Sequence, residues 1–580
     1  MHFADSLGKR EGPPVSEFDY DIVIIGSGFG GSVSALRLTE KGYRVLVVEA
    51  GRRFADNQFA KSSWRLREYL WAPRLGCYGI QRINLLHDSL VLAGAGVGGG
   101  SLVYANTLYE PLDPFFDDPA WSHITDWKSE LAPYFDQAKR MLGVTPVTQM
   151  SPSDIVMKAT ADRLGYGDTF HFAPVGVLFG DKEGQPVPDP YFGGVGPERR
   201  TCTNCGECMS GCRHNAKNTL VKNYLYLAEQ AGAKVQELTT VIDVRPNAAG
   251  GYDVFAESTK RRKQPLPVIR AEQVIFSAAS LGTQKLLHKL RDSGSLPNIS
   301  DRLGVLTRTN SEALMGSVAM HREVDYTKGV AITSSIHPDE TTHIEPVRYG
   351  KGSNLMMFVQ MVLSTDGSGN AKPSLWTMAK NVVKIFPRML KLYDPLHWSE
   401  RTVIALVMQA RDNSITTYTK RTLFGGRKMT TKQGTGEPNP TYIPQAHRAV
   451  SEMADYMDGV GGGIVTEPIG IPMTAHFIGG CAIGDSAETG VIDAYQRLYG
   501  HEGLHVIDGA AISANLGVNP SLTITAQAER AVSLWPNRGE ADERPPLGSA
   551  YVRIAPIAPQ SPVVPADAPA AYRLPIVDVT

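Results

Sequence analysis

Long runs of β-branched and other apolar residues, interrupted by glycine-rich turns, predict the buried strands of the chain. Tyr20–Ile25 is almost continuously apolar, as expected of a strand that is buried on both faces. A glycine-rich turn follows it, and positions 32–41 then show helical periodicity. The apolar run at 44–48 predicts a second buried strand, which ends at Glu49. Strand, helix and strand in this order predict a βαβ unit.

The same strand pattern returns far along the chain. Apolar runs at 273–277 and 504–508 predict further strands, and a helix over 281–291 follows the first of them. Because these strands are so widely separated, we expect a second domain to be inserted between parts of the first. The second domain is predicted as an antiparallel sheet flanked by helices. Residues 544–580 are predicted as an extended, proline-rich arm that wraps the surface, with disorder as the alternative.

The turn after the first strand has the spacing Gly26-x-Gly28-x-x-Gly31. Gly26 permits a tight turn, Gly28 lets the backbone approach a pyrophosphate, and Gly31 allows the helix to pack closely on the strand. The free N–H groups of the helix N-terminus favour the same anion, and Glu49 is placed to bind a ribose 2′-hydroxyl. A glycine-rich turn without a ligand is the alternative, but the complete context favours a dinucleotide.

A second glycine-rich loop lies at 94–101. So many glycines lower stability through the entropy of the unfolded chain, which suggests that the backbone here approaches a ligand closely. Two such loops in one nucleotide-binding domain suit an extended cofactor, and FAD suits them better than NAD.

Composition excludes several other classes of protein. The chain has 58 Lys and Arg against 59 Asp and Glu, so it lacks the positive charge on which nucleic-acid binding depends. No apolar segment is long enough to span a bilayer, and the N-terminus shows no signal-peptide pattern. Six cysteines in 580 residues argue against a disulfide-stabilised secreted fold. We therefore expect a cytoplasmic protein that binds no nucleic acid.

Motifs at five places resemble those of the glucose–methanol–choline (GMC) flavin oxidoreductases, over about residues 19–535. They are 25–31 with 49–51, 96–103, 277–283, 476–481, and 506–509 with 517–526. Within this family the resemblance is to the actinobacterial cholesterol oxidases, whose FAD is noncovalent. It implies an α/β fold in which a Rossmann-like FAD-binding domain is interleaved with an α+β substrate domain built on an antiparallel sheet.

We place the domain boundaries accordingly. The FAD-binding domain is expected to comprise 18–109, 215–310 and 471–540; the substrate-binding domain 110–200 and 311–470; a cysteine-cluster segment 201–214; and the C-terminal arm 544–580.

The resemblance also implies roles for individual residues. His476 corresponds to the histidine that takes or orients the proton of the substrate hydroxyl, and Asn519 to an asparagine that binds the substrate oxygen and the flavin edge. These roles agree with chemistry, because an imidazole titrates near neutral pH and an amide stabilises developing charge without titrating. The residues expected to contact FAD are Gly26, Gly28, Phe29, Gly31, Glu49, Gly98, Gly99, Ser101, Val241, Asp508, Gly509 and Asn519.

Glu345 matches the carboxylate that moves a proton during double-bond migration in the steroid enzymes. This correspondence is the loosest, because the flanking residues diverge from the family pattern. A structural carboxylate at the surface or behind the site is the alternative.

Four of the six cysteines have the spacing of a bacterial ferredoxin, namely Cys202-x2-Cys205-x2-Cys208-x3-Cys212. This spacing predicts a 4Fe–4S cluster, although Arg213 stands where ferredoxins have proline. Either Cys212 or Cys77 is the candidate for the fourth ligand. A zinc site, free structural thiols and a disulfide pair remain open as alternatives.

These observations predict an enzyme that uses FAD to oxidise a secondary alcohol to a ketone. A 3β-hydroxysteroid such as cholesterol is the expected substrate, with double-bond isomerisation as a further step and a peripheral membrane contact for sterol uptake. The electron acceptor is molecular oxygen or a one-electron acceptor. Two alternatives are an iron–sulfur flavin dehydrogenase of another bulky alcohol and an electron-transfer flavoprotein without an organic substrate. The pairing of His476 with Asn519 favours an enzyme.

Overall fold

A computed structural model describes residues 17–574, apart from 261, 371, 423 and 424. Two seven-stranded sheets organise this part of the chain. The α-helices within it are Phe29–Glu40, Leu66–Tyr69, Trp127–Leu142, Pro152–Leu164, Tyr224–Gln230, Ala279–Ser293, Leu375–Ile385, Met389–Leu392, Trp398–Arg401, Pro444–Tyr456 and Ser521–Ser533.

The first seven-stranded sheet, which we call the mixed sheet, contains the strands that the apolar runs predict. Its order is Lys234–Gln236, Val45–Val48, Tyr20–Ile25, Ile269–Phe276, Tyr252–Ser258 and Thr239–Pro246, and Leu504–Val506 pairs with the second half of Ile269–Phe276. The pairings of Tyr20–Ile25 with its two neighbours, and of Val45–Val48 with Lys234–Gln236, are parallel. The strands Thr239–Pro246 and Tyr252–Ser258 form an antiparallel hairpin, which pairs antiparallel with Ile269–Phe276. Ile22, Val23 and Ile24 are fully buried, as expected of a strand covered on both faces.

Helices from distant parts of the chain cover the mixed sheet. Phe29–Glu40 packs against both Tyr224–Gln230 and Ser521–Ser533, and Trp127–Leu142 packs on Ser521–Ser533. A buried ion pair joins the first and last of these helices, because Arg37 lies 2.9 Å from Glu529. Helix Trp127–Leu142 therefore belongs by its packing to the layer that covers the mixed sheet.

The second seven-stranded sheet, which we call the antiparallel sheet, is antiparallel at every pairing. Its order is Gln360–Val362, Gly459–Ile464, Ala313–Ala319, Thr402–Gln409, Thr342–Val347, Ser334–Asp339 and His171–Phe172. Helices Pro152–Leu164 and Pro444–Tyr456 cover one face, and the buried side chains of the second recur at helical spacing, at Ala446, Ala449, Val450 and Met453. The opposite face carries Leu314, Val347 and Leu406 toward the mixed sheet.

Five smaller sheets complete the strands of the described residues. They are Arg427–Gln433 with Ile415–Arg421, Thr307–Arg308 and Ile478–Gly479; Met473–Thr474 with Leu90–Gly94 and Gln81–Leu85; and the pairs Pro186–Val187 with Arg199–Arg200, Trp71–Ala72 with Cys77–Tyr78, and Thr145–Pro146 with Pro174–Val175.

Residues 544–574 form neither helix nor strand. They follow the helical layer of the mixed sheet, where Lys41 donates to the carbonyl of Ile557 and the N–H of Val563 donates to Glu40. The last six residues of the predicted arm lie outside the described part of the chain. None of the described helices has the length and apolar composition that crossing a bilayer requires.

Candidate active site

The first glycine loop is packed so tightly that a Cβ would clash with backbone atoms at Gly26, Gly30 and Gly31. A Cβ on Gly26, whose φ is +108°, would lie 2.2 Å from the carbonyl oxygen of Ser277. A Cβ on Gly31 would lie 2.1 Å from the carbonyl oxygen of Gly26. At Gly28, in contrast, a Cβ would meet nothing within 4 Å. The space beside Gly28 is therefore open, as the approach of a ligand to the backbone requires.

The second glycine loop contacts the first directly. A Cβ on Gly99 would lie 2.7 Å from the Cα of Gly28, and the N–H of Gly98 donates to the hydroxyl of Ser27. That hydroxyl in turn donates to Glu49 over 2.7 Å. Ser101 accepts from the N–H of Leu220 and so fixes the far end of the loop.

A cavity of about 400 Å³ follows the two loops. Of the residues predicted to contact FAD, Gly26, Gly28, Glu49, Gly99 and Val241 line it. Gly31, Gly98 and Ser101 shape the loops without lining this cavity. The sequence prediction missed four cationic residues that also line it, namely Arg82, Lys263, Lys285 and Lys289.

Glu49 lies at this cavity in a nearly fully buried position. Burial raises the pKa of its carboxyl group, while N–H donors from Gly51 and Ser27 act in the opposite direction. Its two oxygens are therefore held in place by the loops.

A second cavity, of about 210 Å³, adjoins the first and shares Gly28, Gly94, Gly100 and Ser277 with it. The other residues predicted to contact FAD or substrate on the side of the mixed sheet line this second cavity. They are Phe29, His476, Asp508, Gly509 and Asn519. Its far wall is the apolar face of the antiparallel sheet, with Leu314, Val347 and Leu406. A smaller apolar cavity, lined among others by Met356, Trp398 and Ile464, continues it.

The imidazole of His476 lies beside a carboxylate that the sequence prediction missed. His476 Nδ1 is 3.1 Å from Glu312 Oε2. Glu312 is buried, and it accepts hydrogen bonds from the hydroxyl of Thr474 and the N–H of Ala475. A carboxylate beside Nδ1 favours the tautomer with the proton on Nδ1, which leaves Nε2 as a proton acceptor.

Asn519 and Glu345 are brought together although 174 positions separate them. Asn519 Nδ2 donates to Glu345 Oε2 over 3.2 Å, and both side chains are buried. Burial raises the pKa of Glu345 to about 8, with a smaller contribution from the charge of Glu312. Asn519 Oδ1 has no hydrogen-bond partner among the described residues. A buried acceptor of this kind at a cavity is available to a ligand.

The turn that carries Asn519 is held by a second asparagine. The side-chain oxygen of Asn310 accepts from the N–H groups of Leu516 and Gly517, and its Nδ2 donates to the carbonyl of Val518. No local motif marks Asn310 or Glu312, because each acts on a segment more than 150 positions away.

Asp508 lines the second cavity and is fixed by hydrogen bonds. It accepts from the hydroxyl of Thr283 over 2.6 Å and from the N–H of Ala510 over 2.8 Å. Burial raises its pKa to about 6. The carboxylate can therefore still ionise at neutral pH.

All six cysteines are free, so the disulfide alternative is not realised. Cys202, Cys205, Cys208 and Cys212 line one small cavity together with Lys217. Burial raises the pKa of the thiols of Cys202, Cys205 and Cys208. A tighter grouping lies beside them, in which Cys205, Glu207 and His214 bring their ligand atoms within 4.8 Å of one another.

Lys217 connects the cysteine segment to the second glycine loop. Its ammonium group donates to the carbonyls of Leu102, Tyr104 and Cys208 over 2.8–3.0 Å. Tyr104 and Met209 line the cavity of His476, so the cysteines lie directly behind its wall.

Two family models match the chain: GMC oxidoreductase over residues 466–528, and NAD(P)-binding Rossmann-like domain over residues 24–59. A cholesterol oxidase of Mycobacterium tuberculosis is 58% identical over 96% of this chain and 98% of its own. A cholesterol oxidase of Acinetobacter baumannii is 43% identical over 91% and 97%. The chain belongs to the GMC oxidoreductase family. Among solved structures, pyridoxine 4-oxidase from Mesorbium loti is similar with a TM-score of 0.56, 14% identity and coverage of 88% and 98%.

Membership of the GMC family confirms the predicted fold class, and it makes the protein an FAD-dependent alcohol oxidoreductase. The site fits such a cofactor. The first cavity is bordered by two glycine loops and four cationic residues, with open space at Gly28, and the adjoining cavity has an unpartnered amide oxygen at Asn519.

Proposed function

We propose that this protein oxidises the 3β-hydroxyl group of a sterol to a ketone. The observation that supports this best is the continuity of two apolar cavities with the position of His476 and Asn519. A rigid, bulky and apolar alcohol suits such a lining, because polar groups occur only where the hydroxyl would lie. The two cholesterol oxidases that resemble this chain act, by their names, on such an alcohol.

In this proposal His476 Nε2 accepts the proton of the substrate hydroxyl. Glu312 orients the ring and stabilises the imidazolium that results. Asn519 binds the same oxygen and lowers the energy of its developing negative charge. FAD, when bound, supplies the acceptor for the hydride of the carbinol carbon. The residues expected to hold it line the first cavity, with Arg82 and Lys285 suited to its phosphates.

We further propose that Glu345 moves the proton in a subsequent double-bond migration. Its carboxyl group lies on the cavity side of the antiparallel sheet, bonded to Asn519. A carboxyl whose pKa is near neutrality can both accept and return a proton at physiological pH.

The cysteine quartet supports a proposal for a 4Fe–4S cluster and a one-electron acceptor. All four cysteines line one small cavity, as the ligands of a single cluster must. The N–H of Asn204 points at the sulfur of Cys202, and three buried cations, Lys217, Arg199 and Arg348, surround the cysteines. Such cations would balance the negative charge of a cluster. Zinc on Cys205, Glu207 and His214 is the competing arrangement.

An exposed apolar and basic surface supports the proposal of a peripheral membrane contact. It consists of Phe358, Leu375, Trp376, Val383, Phe386 and Leu396, with Lys380, Lys384 and Arg388 between them. We call it the 358–396 surface. Its helix Leu375–Ile385 has no buried residue. Apolar anchors combined with lysines suit a membrane interface with anionic lipids.

Anaerobic absorbance spectroscopy tests the sterol proposal. Cholesterol added to purified, FAD-loaded protein should bleach the flavin bands, whereas 3-deoxycholesterol should not. Flavin that stays oxidised with cholesterol but is reduced by another bulky alcohol would establish the alternative dehydrogenase. Flavin that no alcohol reduces would leave only the electron-transfer alternative.

A further inference from the structure

The backbone of the 309–312 segment, which joins the strands Thr307–Arg308 and Ala313–Ala319, is strained. Asn310 and Ser311 have φ angles of +58° and +44°, and both are fully buried. Asparagine adopts this left-handed region more readily than most residues, whereas serine does so rarely. Two such residues in succession persist only where surrounding contacts hold them, and strain of this kind occurs preferentially at active sites. The contacts of the segment therefore call for a functional explanation.

The 309–312 segment fixes His476 through Thr474. The hydroxyl of Thr474 lies 3.0 Å from the carbonyl oxygen of Thr309 and 2.8 Å from Glu312 Oε2, and it accepts from the N–H of His476 over 2.9 Å. Glu312 also lies 3.1 Å from the imidazole. Both the backbone and the ring of His476 are thus placed by this segment.

The side chain of Asn310 fixes the turn that leads to Asn519. Its Oδ1 accepts from the N–H groups of Leu516 over 3.1 Å and of Gly517 over 2.9 Å, and its Nδ2 donates to the carbonyl of Val518 over 2.8 Å. An asparagine side chain can make four hydrogen bonds, and three of them here go to the successive residues before Asn519. A shorter or apolar side chain would leave these buried backbone groups without a partner.

Two further asparagines keep Asn310 in place. The N–H of Asn310 donates to Asn515 Oδ1 over 2.9 Å, and Asn515 Nδ2 donates to the carbonyl of Arg411 over 2.8 Å and to Asn413 Oδ1 over 3.1 Å. The hydroxyl of Ser311 donates to the same oxygen of Asn413 over 2.9 Å. The three asparagines and Ser311 are buried. A buried polar network whose members bond to one another favours a single arrangement.

This segment therefore links the two side chains that face the substrate hydroxyl in the proposed function. His476 and Asn519 line the same cavity. The first is reached through Thr474 and the second through the turn 516–518. An amide nitrogen carries two hydrogens, so Asn519 Nδ2, which donates to Glu345, can donate its second to the oxygen whose proton His476 accepts. Such a shared contact requires a fixed separation between the two residues.

We propose that Asn310 is a positioning residue for the oxidation of the alcohol. Its side chain fixes Asn519 relative to His476, so that both contact one substrate oxygen. This rests on the proposed function, in which His476 accepts the hydroxyl proton and Asn519 binds the oxygen. Asn310 is fully buried, and its side chain acts on the site through the backbone of 516–518. A displacement of about 1 Å in such a site slows a reaction on the order of a hundredfold, which sets the size of the expected effect.

A double-mutant cycle tests the proposal. Stopped-flow measurement follows flavin reduction by cholesterol in FAD-loaded Asn310→Gly, Asn519→Ala and the variant with both changes. Glycine adopts positive φ freely, so Asn310→Gly removes the side chain without adding backbone strain. We expect Asn310→Gly to lower the maximal rate on the order of a hundredfold, with the apparent Kd of cholesterol nearly unchanged because the apolar lining binds it. The variant with both changes should be as slow as Asn519→Ala alone, since Asn310 acts only through Asn519.

Asn537→Gly is the matched control. Asn537 also accepts from a backbone N–H, that of Gln560, and donates to a backbone carbonyl, that of Ala558, but it holds the C-terminal arm instead of the site. Its flavin should be reduced at the parent rate. Losses from Asn310→Gly and Asn519→Ala that multiply in the combined variant would overturn the proposal, because the two side chains would then act independently.

Hydrogen–deuterium exchange gives a readout that is independent of activity. In Asn310→Gly the N–H groups of Leu516 and Gly517 lose their acceptor, so mass spectrometry should show faster exchange in the peptide that contains them. In Asn537→Gly this peptide should exchange as in the parent. Unchanged exchange in Asn310→Gly would contradict the role of the side chain.

Asn310→Asp covers the case in which Asn310→Gly fails to fold, because it keeps the size and the acceptor oxygen of the side chain. Loss of the donor to Val518 should slow flavin reduction by a smaller factor, again without multiplying the loss from Asn519→Ala. A parent rate or a multiplied loss in Asn310→Asp would overturn the proposal.

The same measurements separate this proposal from the proposed function. A slow Asn519→Ala combined with a parent rate in Asn310→Gly would overturn the positioning role alone. A parent rate in Asn519→Ala would refute the role assigned to Asn519 and this proposal with it. If cholesterol leaves the flavin oxidised, the sterol proposal fails, and the cycle is run with the bulky alcohol that reduces it.

Discussion

At the scale of single residues, the site depends on two carboxylates in different roles. Glu312 lies beside the imidazole of His476, whereas Glu345 lies beside the amide of Asn519. The first is held by N–H and hydroxyl donors, while the second is fully buried with one hydrogen bond among the described residues, from Asn519, and has a raised pKa. Because their environments differ, Glu312 is suited to orient a base, whereas Glu345 is suited to transfer a proton itself.

Replacement of Glu312 by Gln tests whether this carboxylate orients His476 and stabilises the imidazolium that forms on it. Without the neighbouring negative charge the imidazolium is less stable, so the maximal rate of flavin reduction by the alcohol should fall. The fall should be smaller than in His476→Gln, where we expect a loss of about 10²–10⁴-fold. Stopped-flow measurement of flavin reduction at saturating alcohol checks both variants. A rate equal to that of the parent in Glu312→Gln would contradict the pairing.

The raised pKa of Glu345 predicts how product composition depends on pH. Only the carboxylate accepts a proton, so the fraction of isomerised ketone should rise as pH increases through about 8. Chromatography of the products over this range measures it, and Glu345→Gln should give unisomerised ketone at every pH. A ratio that does not change with pH would contradict the assignment.

The raised pKa of Glu345 also makes the stability of the fold depend on pH. Because the folded state holds this proton to higher pH than the unfolded state, the free energy of unfolding falls as pH rises from about 4.5 to 8, by a few kcal/mol. Glu345→Gln should lose this part of the pH dependence, as thermal unfolding at several pH values would show.

At the scale of elements, local sequence patterns predicted the strands and glycine loops well. Tyr20–Ile25 and the turn after it carry their signal within a few residues, so both could be predicted. Glu312 and Asn310 could not, because their roles arise only when Ala313–Ala319 and the segment at 471–519 meet in space. The hairpin of Tyr252–Ser258 and Thr239–Pro246 was also missed, since its alternating pattern differs little from that of surface loops.

The cysteine segment provides the test of the cluster proposal. Protein purified without oxygen should contain about four irons per chain, and Cys205→Ser should lose them. In this variant the rate of electron transfer to one-electron acceptors should fall far more than the rate of flavin reduction by the substrate. Cys481→Ser, which removes a cysteine that is not a candidate ligand, is the matched control for iron content. Stoichiometric zinc without iron would instead support the site of Cys205, Glu207 and His214.

At the scale of the whole molecule, the 358–396 surface adjoins the smaller apolar cavity. Ile385, at the end of the helix Leu375–Ile385, packs in one apolar cluster with Met356 and Trp398, which line that cavity. In the proposed membrane contact, this surface would bring the bilayer close to the cavity. Trp376→Ser combined with Phe386→Ser should weaken binding to vesicles of anionic phospholipid and cholesterol by about tenfold or more, given the apolar area removed.

Vesicle co-sedimentation measures this binding, and turnover of cholesterol dispersed in detergent should stay unchanged. The control is Val552→Ser, an exposed apolar residue on the C-terminal arm. Equal vesicle binding by the parent and the double variant would exclude this surface as the contact.

The order of strands in the mixed sheet also bears on how the protein is made. Leu504–Val506 completes a sheet whose first strand is Tyr20–Ile25, and Asn519 lies beyond both. During synthesis the ribosome must therefore release more than 500 residues before the second cavity, which Asp508 and Asn519 line, can close. Contacts of such high sequence separation form slowly. A ligand that binds the folded state stabilises it by mass action, so flavin supply during expression should raise the yield of folded protein.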